Sequence, residues 1–326
     1  MKGFFDCLKI TFVIIGTMLG AGFLSGREVY QFFSGTDPLL SVAFVFILLF
    51  LGQFFILSSD FEKKSRLYKP IIAISYLGNI FIMSGMLSCI NTIALTAFNS
   101  RSLSTAITIG VLIVSNVIQF SGAGGLKRVN LVLVPIILIT LIFVVFIPNK
   151  ITYVSSGKIA PISCLSYAGL NLFLGMPILM ILGKNKAKTT SFFAAMLSSA
   201  VLAVLIFLIY ASLSGSGVDA LYSDIPLLNL INKHSVAVIC YYFVLTFGVL
   251  TTLFSAHYSV FQILDNTFIG ILYKILLSIT AYLISRLSFL NIVAYIYPFI
   301  GIIGGILIII LVFEQAFFPK KPLKST

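Results

Sequence analysis

The first residues that could do chemistry lie in the stretch GTMLGAGFLSGREVYQFF, inside the first apolar segment of the chain. It contains Gly20, Ala21 and Gly22, followed by the adjacent charged residues Arg27 and Glu28. Glycine lowers helix propensity by about 1 kcal/mol and allows backbone conformations that other residues avoid. We therefore expect the backbone to leave the helix here, where its freed N–H and C=O groups can bind a small polar ligand or an ion.

The elements that must position this stretch are strongly apolar. Of the 326 residues, 60% are hydrophobic and only 9% are charged, and the mean hydropathy is +1.14. A soluble domain carries roughly 25% charged residues, so the composition excludes one. Because lipid cannot satisfy backbone polar groups, the chain must cross the bilayer as helices or as a closed barrel. The apolar runs are continuous and not alternating, which favours helices.

We predict an all-α polytopic membrane protein with ten transmembrane helices, each long enough for the roughly 20 residues that a bilayer requires. The predicted spans cover residues 7–34, 38–58, 70–99, 103–121, 129–148, 161–183, 188–213, 235–265, 267–286 and 289–314. Most connections are short, which predicts a single transmembrane domain over residues 1–326.

The basic residues predict the orientation of these spans. With a cytoplasmic N-terminus, fifteen of the 21 Lys and Arg residues fall on the cytoplasmic side and five on the outer side, while Arg27 lies within a span. The positive-inside rule then places both termini in the cytoplasm. The basic residues behind the net charge of +12 lie in short loops between apolar segments, where they orient the chain. We therefore expect the lipid bilayer as a partner and no nucleic acid.

A second interrupted helix is predicted at span six, which contains Gly169 near its centre and Pro177 further on. Spans one and six open two five-helix halves, residues 7–148 and 161–314, and they run in opposite directions because five is odd. Paired interruptions at corresponding positions predict a 5+5 inverted repeat with discontinuous helices one and six. Alternatively, these glycines allow close helix packing.

The motif GAGFLSGREVYQFF resembles the GAGFASGQE-type signature of the uncharacterised bacterial YkvI-type membrane proteins. That group is similar to the amino acid–polyamine–organocation superfamily, which has the leucine-transporter (LeuT) fold of five-plus-five inverted helices. The resemblance implies transport in a multi-pass protein of the bacterial plasma membrane. Leu24 and Arg27 stand where the signature is expected to carry a small residue and Gln, so no specific substrate is implied.

The resemblance also implies a substrate site. In proteins of this fold, backbone N–H groups of the helix-one glycines bind the carboxylate of the substrate, and Ser25 lies one turn beyond the matching glycines here. Facing candidates from helices three and six are Asn91, Tyr167, Gly169 and Asn171. Each polar side chain could instead make a hydrogen bond between helices.

An ion site is implied by the same resemblance, because sodium-coupled members of this fold join helix-eight hydroxyls to helix-one carbonyls. The matching candidates for a metal site are the carbonyls of Gly16 and Leu19 and the hydroxyls of Thr251, Thr252 and Ser255. Hard cations favour such oxygen ligands, although Ser and Thr also bond to carbonyls of their own helix. No cofactor is expected. Sodium or a proton is the candidate coupling ion, with Glu28 and His257 as protonatable side chains.

Arg27 and Glu28 are predicted to form a gate above the site. At 1.5 Å per residue they would lie about 8 Å and about 9 Å outward of Gly22 along the helix. Asp219 or Asp224, in the long outer connection, could pair with Arg27. That connection is either a lid over an outer vestibule or an ordinary surface loop, and the two charges could instead anchor an outer half-helix.

Together these features predict a secondary active transporter, in which sodium-coupled symport of an amino acid or similar small zwitterion proceeds by alternating access. The alternative is a non-transporting membrane receptor on the same scaffold, like the germinant-receptor subunits. An enzyme is not expected, since the chain lacks His-x-x-x-His, G-x-S-x-G and paired Asp residues in facing spans. The sequence leaves the oligomeric state open.

Overall fold

The computed structural model describes residues 2–59, 65–118, 122–146, 157–214, 223–231, 235–262, 264 and 266–317. These residues form helices joined by short turns and contain no strand, so the predicted all-α class is confirmed. Eight of the described helices are long and apolar enough to cross a membrane, and the apolar helix Phe268–Ile284 is shorter.

The first apolar segment divides into three helices. They are α1 (Lys2–Met18), α2 (Ala21–Leu24) and α3 (Arg27–Phe33). Gly20 separates α1 from α2 and has an extended backbone (φ −73°, ψ 178°). Gly26 separates α2 from α3 and has a φ of 79°, in the left-handed region that favours glycine. The predicted interruption of helix one is therefore present, and a second one follows it six residues later.

The remaining helices match the predicted spans to within a few residues at most ends. In the first half they are α4 (Pro38–Ser58), α5 (Tyr68–Phe98), α6 (Arg101–Ile118) and α7 (Gly122–Phe146). In the second half they are α8 (Pro161–Gly183), α9 (Lys188–Leu213), α10 (Pro226–Ile231), α11 (Ser235–Phe261), α12 (Phe268–Ile284), α13 (Phe289–Asn291) and α14 (Tyr297–Phe317). A π-helical turn, Ile292–Ile296, joins α13 to α14.

The centre of the molecule is built from α5 and α8. Of the most apolar 18-residue window in each helix, 67% is buried in α5 and 78% in α8, against 17% in α6. Helix α6 and the similarly apolar α12 expose Ile and Leu side chains, as expected for surfaces in contact with lipid. The interrupted helices α1, α2 and α3 contact this buried pair and α11.

Helix six is not discontinuous, so that part of the prediction is wrong: α8 is one helix of 23 residues. Pro177 has no N–H and cannot bond to the carbonyl of Phe173 one turn earlier. Ser75 of α5 supplies the missing donor, since its hydroxyl donates to the Phe173 carbonyl at 2.6 Å. Asn79 donates to the next carbonyl, that of Leu174, at 3.0 Å. Donors from α5 therefore satisfy α8 at its proline and keep it helical.

Gly169 of α8 lies in a seam of glycines against α14. A Cβ atom added at Gly169 would lie 2.3 Å from the carbonyl oxygen of Gly301 and 2.6 Å from the backbone nitrogen of Gly305. Contacts that short do not occur, so only glycine allows the two backbones to approach this closely. For Gly169 the packing alternative describes the structure.

Candidate functional site

A small cavity lies beside the interruption between α1 and α2. Its volume is about 40 Å³, close to the roughly 30 Å³ that one water molecule occupies in the liquid. Side chains from α1, α3, α5, α8, α11 and α14 surround it. The polar ones are Thr17, Glu28, Asn79, Asn171, Thr252 and Tyr297. The cavity is therefore a site of molecular size with polar side chains set among apolar ones, at the most buried part of the fold.

Of the four helix-one residues predicted to bind substrate, Gly20 borders the cavity directly. The Ala21 N–H points to the sulfur of Met86 at 3.4 Å. Sulfur is a weak acceptor, so a stronger acceptor could take this N–H. Gly22 lies against Glu28: a Cβ atom at Gly22 would be 2.6 Å from Oε2 of that carboxylate.

Ser25 serves the turn between α2 and α3. Its hydroxyl donates to the Gly22 carbonyl at 3.0 Å, and the Arg27 N–H donates to the same hydroxyl at 3.2 Å. Ser25 is fully buried and is not among the residues that line the cavity. Its position supports the shape of the interrupted segment.

Glu28 lies in the cavity wall beside Gly22, closer to it than predicted, and its role in a gate stays a prediction. The prediction assumed an uninterrupted helix beyond Gly22, whereas the left-handed turn at Gly26 redirects α3 and brings the Glu28 carboxylate back to Gly22. The carboxylate is buried, with Asn171 as a hydrogen-bonding neighbour. Within the described part of the chain, no Lys or Arg nitrogen lies within 4 Å of it.

Two predicted helix-six residues lie near the cavity. Asn171 lines it, and its amide also donates to the Tyr167 carbonyl at 3.0 Å. The Tyr167 ring packs edge-on against Phe32 and Phe33 of α3, with centroids 5.4 Å and 5.2 Å away. Tyr167 therefore supports α3 beside the site without lining the cavity.

Asn91 lies at a different place. It borders a separate, largely polar cavity of about 310 Å³ between the end of α5, the start of α6 and the end of α12. Arg101 and Arg286 line this second cavity as well. Neither Asn91 nor Gly169 is brought to the cavity at the helix-one interruption.

The predicted sodium ligands converge in part. The Thr252 hydroxyl donates to the Gly16 carbonyl at 3.1 Å, and Thr17 lies 3.1 Å from the Ser255 hydroxyl, so α1 and α11 meet through oxygen atoms. A Cβ atom added at Gly248 of α11 would lie 3.4 Å from the Leu19 carbonyl.

The hydroxyls of α11 also bond within their own helix. Thr251 donates to the Gly248 carbonyl at 2.9 Å, and Ser255 donates to the Thr251 carbonyl at 3.0 Å. His257 is fully buried, between the Leu253 carbonyl at 3.1 Å from Nδ1 and the Ser115 hydroxyl at 3.2 Å. These contacts fit packing in α11, and the coupling ion stays a prediction.

The predicted lid has a counterpart in residues 223–231, which include α10. The Leu227 N–H donates to the Ser25 carbonyl at 3.1 Å, so this segment is docked on the turn between α2 and α3. Burial raises the pKa of the Asp224 carboxyl, and the nearby positive charge of Arg27 opposes that rise. Asp224 is thus an acid close enough to act on Arg27, while Asp219 lies outside the described residues.

Sequence reasoning missed Asn79, Thr17 and Tyr297. The Tyr297 hydroxyl is buried, and it has no hydrogen-bond partner among the described residues. Tyr297 directly follows the π-helical turn, and such turns frequently occur at functional sites. The Tyr297–Pro298 dipeptide was a weak signal, because proline removes a helix hydrogen bond and favours such a turn.

Comparison with solved structures defines the class of fold. The chain aligns with MhsT, solved in complex with L-phenylalanine, at a TM-score of 0.70 and 15% identity, covering 94% of this chain and 88% of that one. The protein is therefore a multi-pass membrane protein with the LeuT-type fold.

Comparison with curated sequences finds two similar proteins. The chain is 25% identical over 326 residues to the uncharacterized membrane protein YkvI of Bacillus subtilis (strain 168), covering 91% of this chain and 92% of YkvI. A shorter match, 29% over 65 residues, is to the uncharacterized protein YyaD of the same organism, with 20% of this chain covered and 19% of YyaD. No family model matches. The similarity to YkvI confirms the resemblance predicted from the glycine motif.

Proposed function

We propose that this protein is a secondary active transporter that moves an amino acid or similar small solute by alternating access. The observation that carries the proposal is a small cavity with six polar side chains in its wall, at the interruption between α1 and α2 and surrounded by five other helices. Interrupted helices that line a buried polar site are typical of such transporters. We also propose ten spans in a 5+5 inverted repeat, with only helix one interrupted.

The size of the cavity supports alternating access. A volume of about 40 Å³ is far below the roughly 300 Å³ or more of pockets that bind drug-sized ligands. A bound solute therefore needs helices to separate on one side of the cavity. The docked segment 223–231 and the nearby charges of Arg27 and Asp224 are suited to act as the outer gate.

The proposed substrate class is an amino acid. MhsT is described in complex with L-phenylalanine, and we extend amino acid binding to this chain as part of the proposal. The proposed coupling ion is sodium, bound where the Gly16 carbonyl meets Thr252 and Ser255. The contact of 3.1 Å between Thr252 and Gly16 supports this choice.

A thermal-unfolding screen of purified protein against the twenty amino acids, in sodium and in potassium buffers, tests the proposed ligand and ion. We expect one amino acid or a related group to raise the unfolding temperature, and more so in sodium. If no amino acid stabilises the protein in either buffer, the proposed substrate class is wrong. Equal stabilisation in both buffers removes sodium as the coupling ion.

A further inference from the structure

Three polar side chains of the cavity, those of Thr17, Asn79 and Thr252, already donate their hydrogens to backbone carbonyls. The Thr17 hydroxyl donates to the Val13 carbonyl at 2.7 Å, and the Thr252 hydroxyl donates to that of Gly16. Asn79 uses its amide nitrogen on two carbonyls, at 2.9 Å and 3.0 Å. The oxygen atoms of these side chains keep the capacity to accept hydrogen bonds. A group that satisfies them must carry several N–H or O–H donors.

The charge of the cavity also favours a ligand that carries N–H donors. Glu28 is 5% exposed, and no Lys or Arg of the described residues lies within 4 Å of its carboxylate. A buried carboxyl group is stable in its ionised form only beside a positive charge, and otherwise it binds a proton. Its Oε2 atom lies beside the Cα of Gly22, where the carboxylate of a substrate was expected. Two carboxylates at that position would repel each other.

The unpartnered hydroxyl of Tyr297 is a second, independent sign of a ligand. Tyr297 is 1% exposed and lines the cavity, and its hydroxyl has no hydrogen-bond partner among the described residues. Buried polar atoms are nearly always partnered in native proteins. An ammonium group has three donors and is about the size of a water molecule, so a cavity of about 40 Å³ accommodates it.

We propose that this cavity binds the ammonium group of the substrate, with the Glu28 carboxylate as its counter-ion and Tyr297 as a hydrogen-bond acceptor. The substrate class is then a primary amine or an amino acid oriented with its ammonium group toward Gly22. This orientation differs from the expected one, in which the helix-one glycines bind the substrate carboxylate. The inference deepens the proposed transport function and rests on it, because the bound compound is a substrate only if the protein transports it.

Binding of matched compounds to the full-length protein in lipid nanodiscs tests the inference. The probes are the amino acid that stabilises the protein most, its decarboxylated amine and its deaminated acid, together with the alkylamines from methylamine to butylamine. We expect the amines to bind and the acid to fail. Glu28→Gln should weaken amine binding by about ten- to hundredfold, as expected for loss of a hydrogen bond to a charged group.

Glu314→Gln is the matched control. Glu314 is also a buried carboxylate, but it accepts hydrogen bonds from Ser65 and from the Arg66 N–H at 2.8 Å, and it does not line the cavity. This variant should retain the affinity of the wild-type protein for amines. If Glu28→Gln fails to fold, Tyr297→Phe replaces it, with an expected loss of about three- to tenfold in affinity.

Several outcomes overturn the inference: no amine binds, the deaminated acid binds as well as the amino acid, or Glu28→Gln and Tyr297→Phe both keep full affinity. Sodium chloride is also tested alone. If sodium stabilises the protein in a way that depends on Glu28 and amines do not stabilise it, the inference is overturned.

The inference and the transport proposal can fail separately. If amine binding depends on Glu28 but the protein accumulates no solute, the inference stands and transport is rejected. If the protein accumulates solute but Glu28→Gln keeps its amine affinity, transport stands and the inference is rejected.

Discussion

At the scale of single residues, Tyr297 and Tyr241 form an informative pair. Both rings are almost fully buried near the interrupted first helix. The Tyr241 hydroxyl donates to the Leu24 carbonyl at 2.7 Å, whereas the Tyr297 hydroxyl has no hydrogen-bond partner among the described residues. One hydroxyl therefore stabilises the fold, and the other is the one that we propose to contact the ligand.

We expect Tyr297→Phe to leave the stability of the ligand-free protein unchanged or slightly raised, because no hydrogen bond is lost. Tyr241→Phe, the matched control, should lower the free energy of unfolding by about 1–2 kcal/mol, since it leaves the Leu24 carbonyl unsatisfied. Denaturant unfolding of both variants in the same detergent measures the difference. Equal destabilisation would mean that the Tyr297 hydroxyl has a structural partner in solution.

Residue types alone predicted only part of the site. Gly20 was identified because glycine next to an apolar run is a recognisable helix breaker, and it borders the cavity. Glu28 was placed several ångströms too far out, because nothing in the sequence shows that Gly26 takes a left-handed conformation and redirects α3. Tyr297 could not be identified, since its role depends on which neighbours leave its hydroxyl without a partner.

At the scale of helices, α8 stays continuous through Pro177 because α5 provides the missing donor. Ser75→Ala should lower the free energy of unfolding by about 1–2 kcal/mol, since the Phe173 carbonyl loses the hydroxyl that bonds to it at 2.6 Å. In a Pro177→Ala background the same change should be nearly neutral, because the alanine that replaces the proline has a backbone N–H that can bond to that carbonyl.

A double-mutant cycle of these two substitutions measures the coupling, which we expect to be about 1 kcal/mol. Ser198→Ala is a control of similar size: its hydroxyl contacts Gln53 at 2.5 Å, away from Pro177, so its effect should not depend on the proline. If Ser75→Ala has the same effect in both backgrounds, the account of α8 is contradicted.

Close packing of α8 on α14 gives a second prediction for helices. Gly169→Ala should destabilise the protein by about 1–3 kcal/mol, because the new methyl group meets backbone atoms of Gly301 and Gly305 that cannot move independently of their helix. Gly110→Ala in α6 is the control. No atom lies within 4 Å of its added Cβ, and alanine is the better helix former, so stability should not fall.

Thermal unfolding in detergent distinguishes the two variants. If Gly169→Ala keeps wild-type stability but loses ligand affinity, Gly169 belongs to the binding site and not to the packing seam.

Helix positions were largely predictable, because long apolar runs fix where helices lie. Their contacts were not, because a proline and a glycine in α8 looked like an interruption until the Ser75 hydroxyl and the α14 glycines were placed beside them.

At the scale of the whole molecule, two sets of contacts join elements that the proposed transport cycle must separate. Residues 223–231 dock on the turn after α2. Near the predicted cytoplasmic side, Lys186 contacts Asp6 at 2.7 Å and lowers the pKa of that carboxyl, although both side chains are partly exposed to solvent. Glu314 joins the end of α14 to the start of α5. Transport requires these two sets of contacts to separate in alternation.

Concentrative uptake into proteoliposomes tests this account most directly. The radiolabelled amino acid found in the binding screen is supplied outside vesicles that contain the purified protein, with an inward sodium gradient or with none. We predict accumulation above the outside concentration that needs the gradient and collapses when an ionophore dissipates it. Binding of the same compound with no accumulation under sodium or proton gradients would contradict the account and would assign this fold to a receptor.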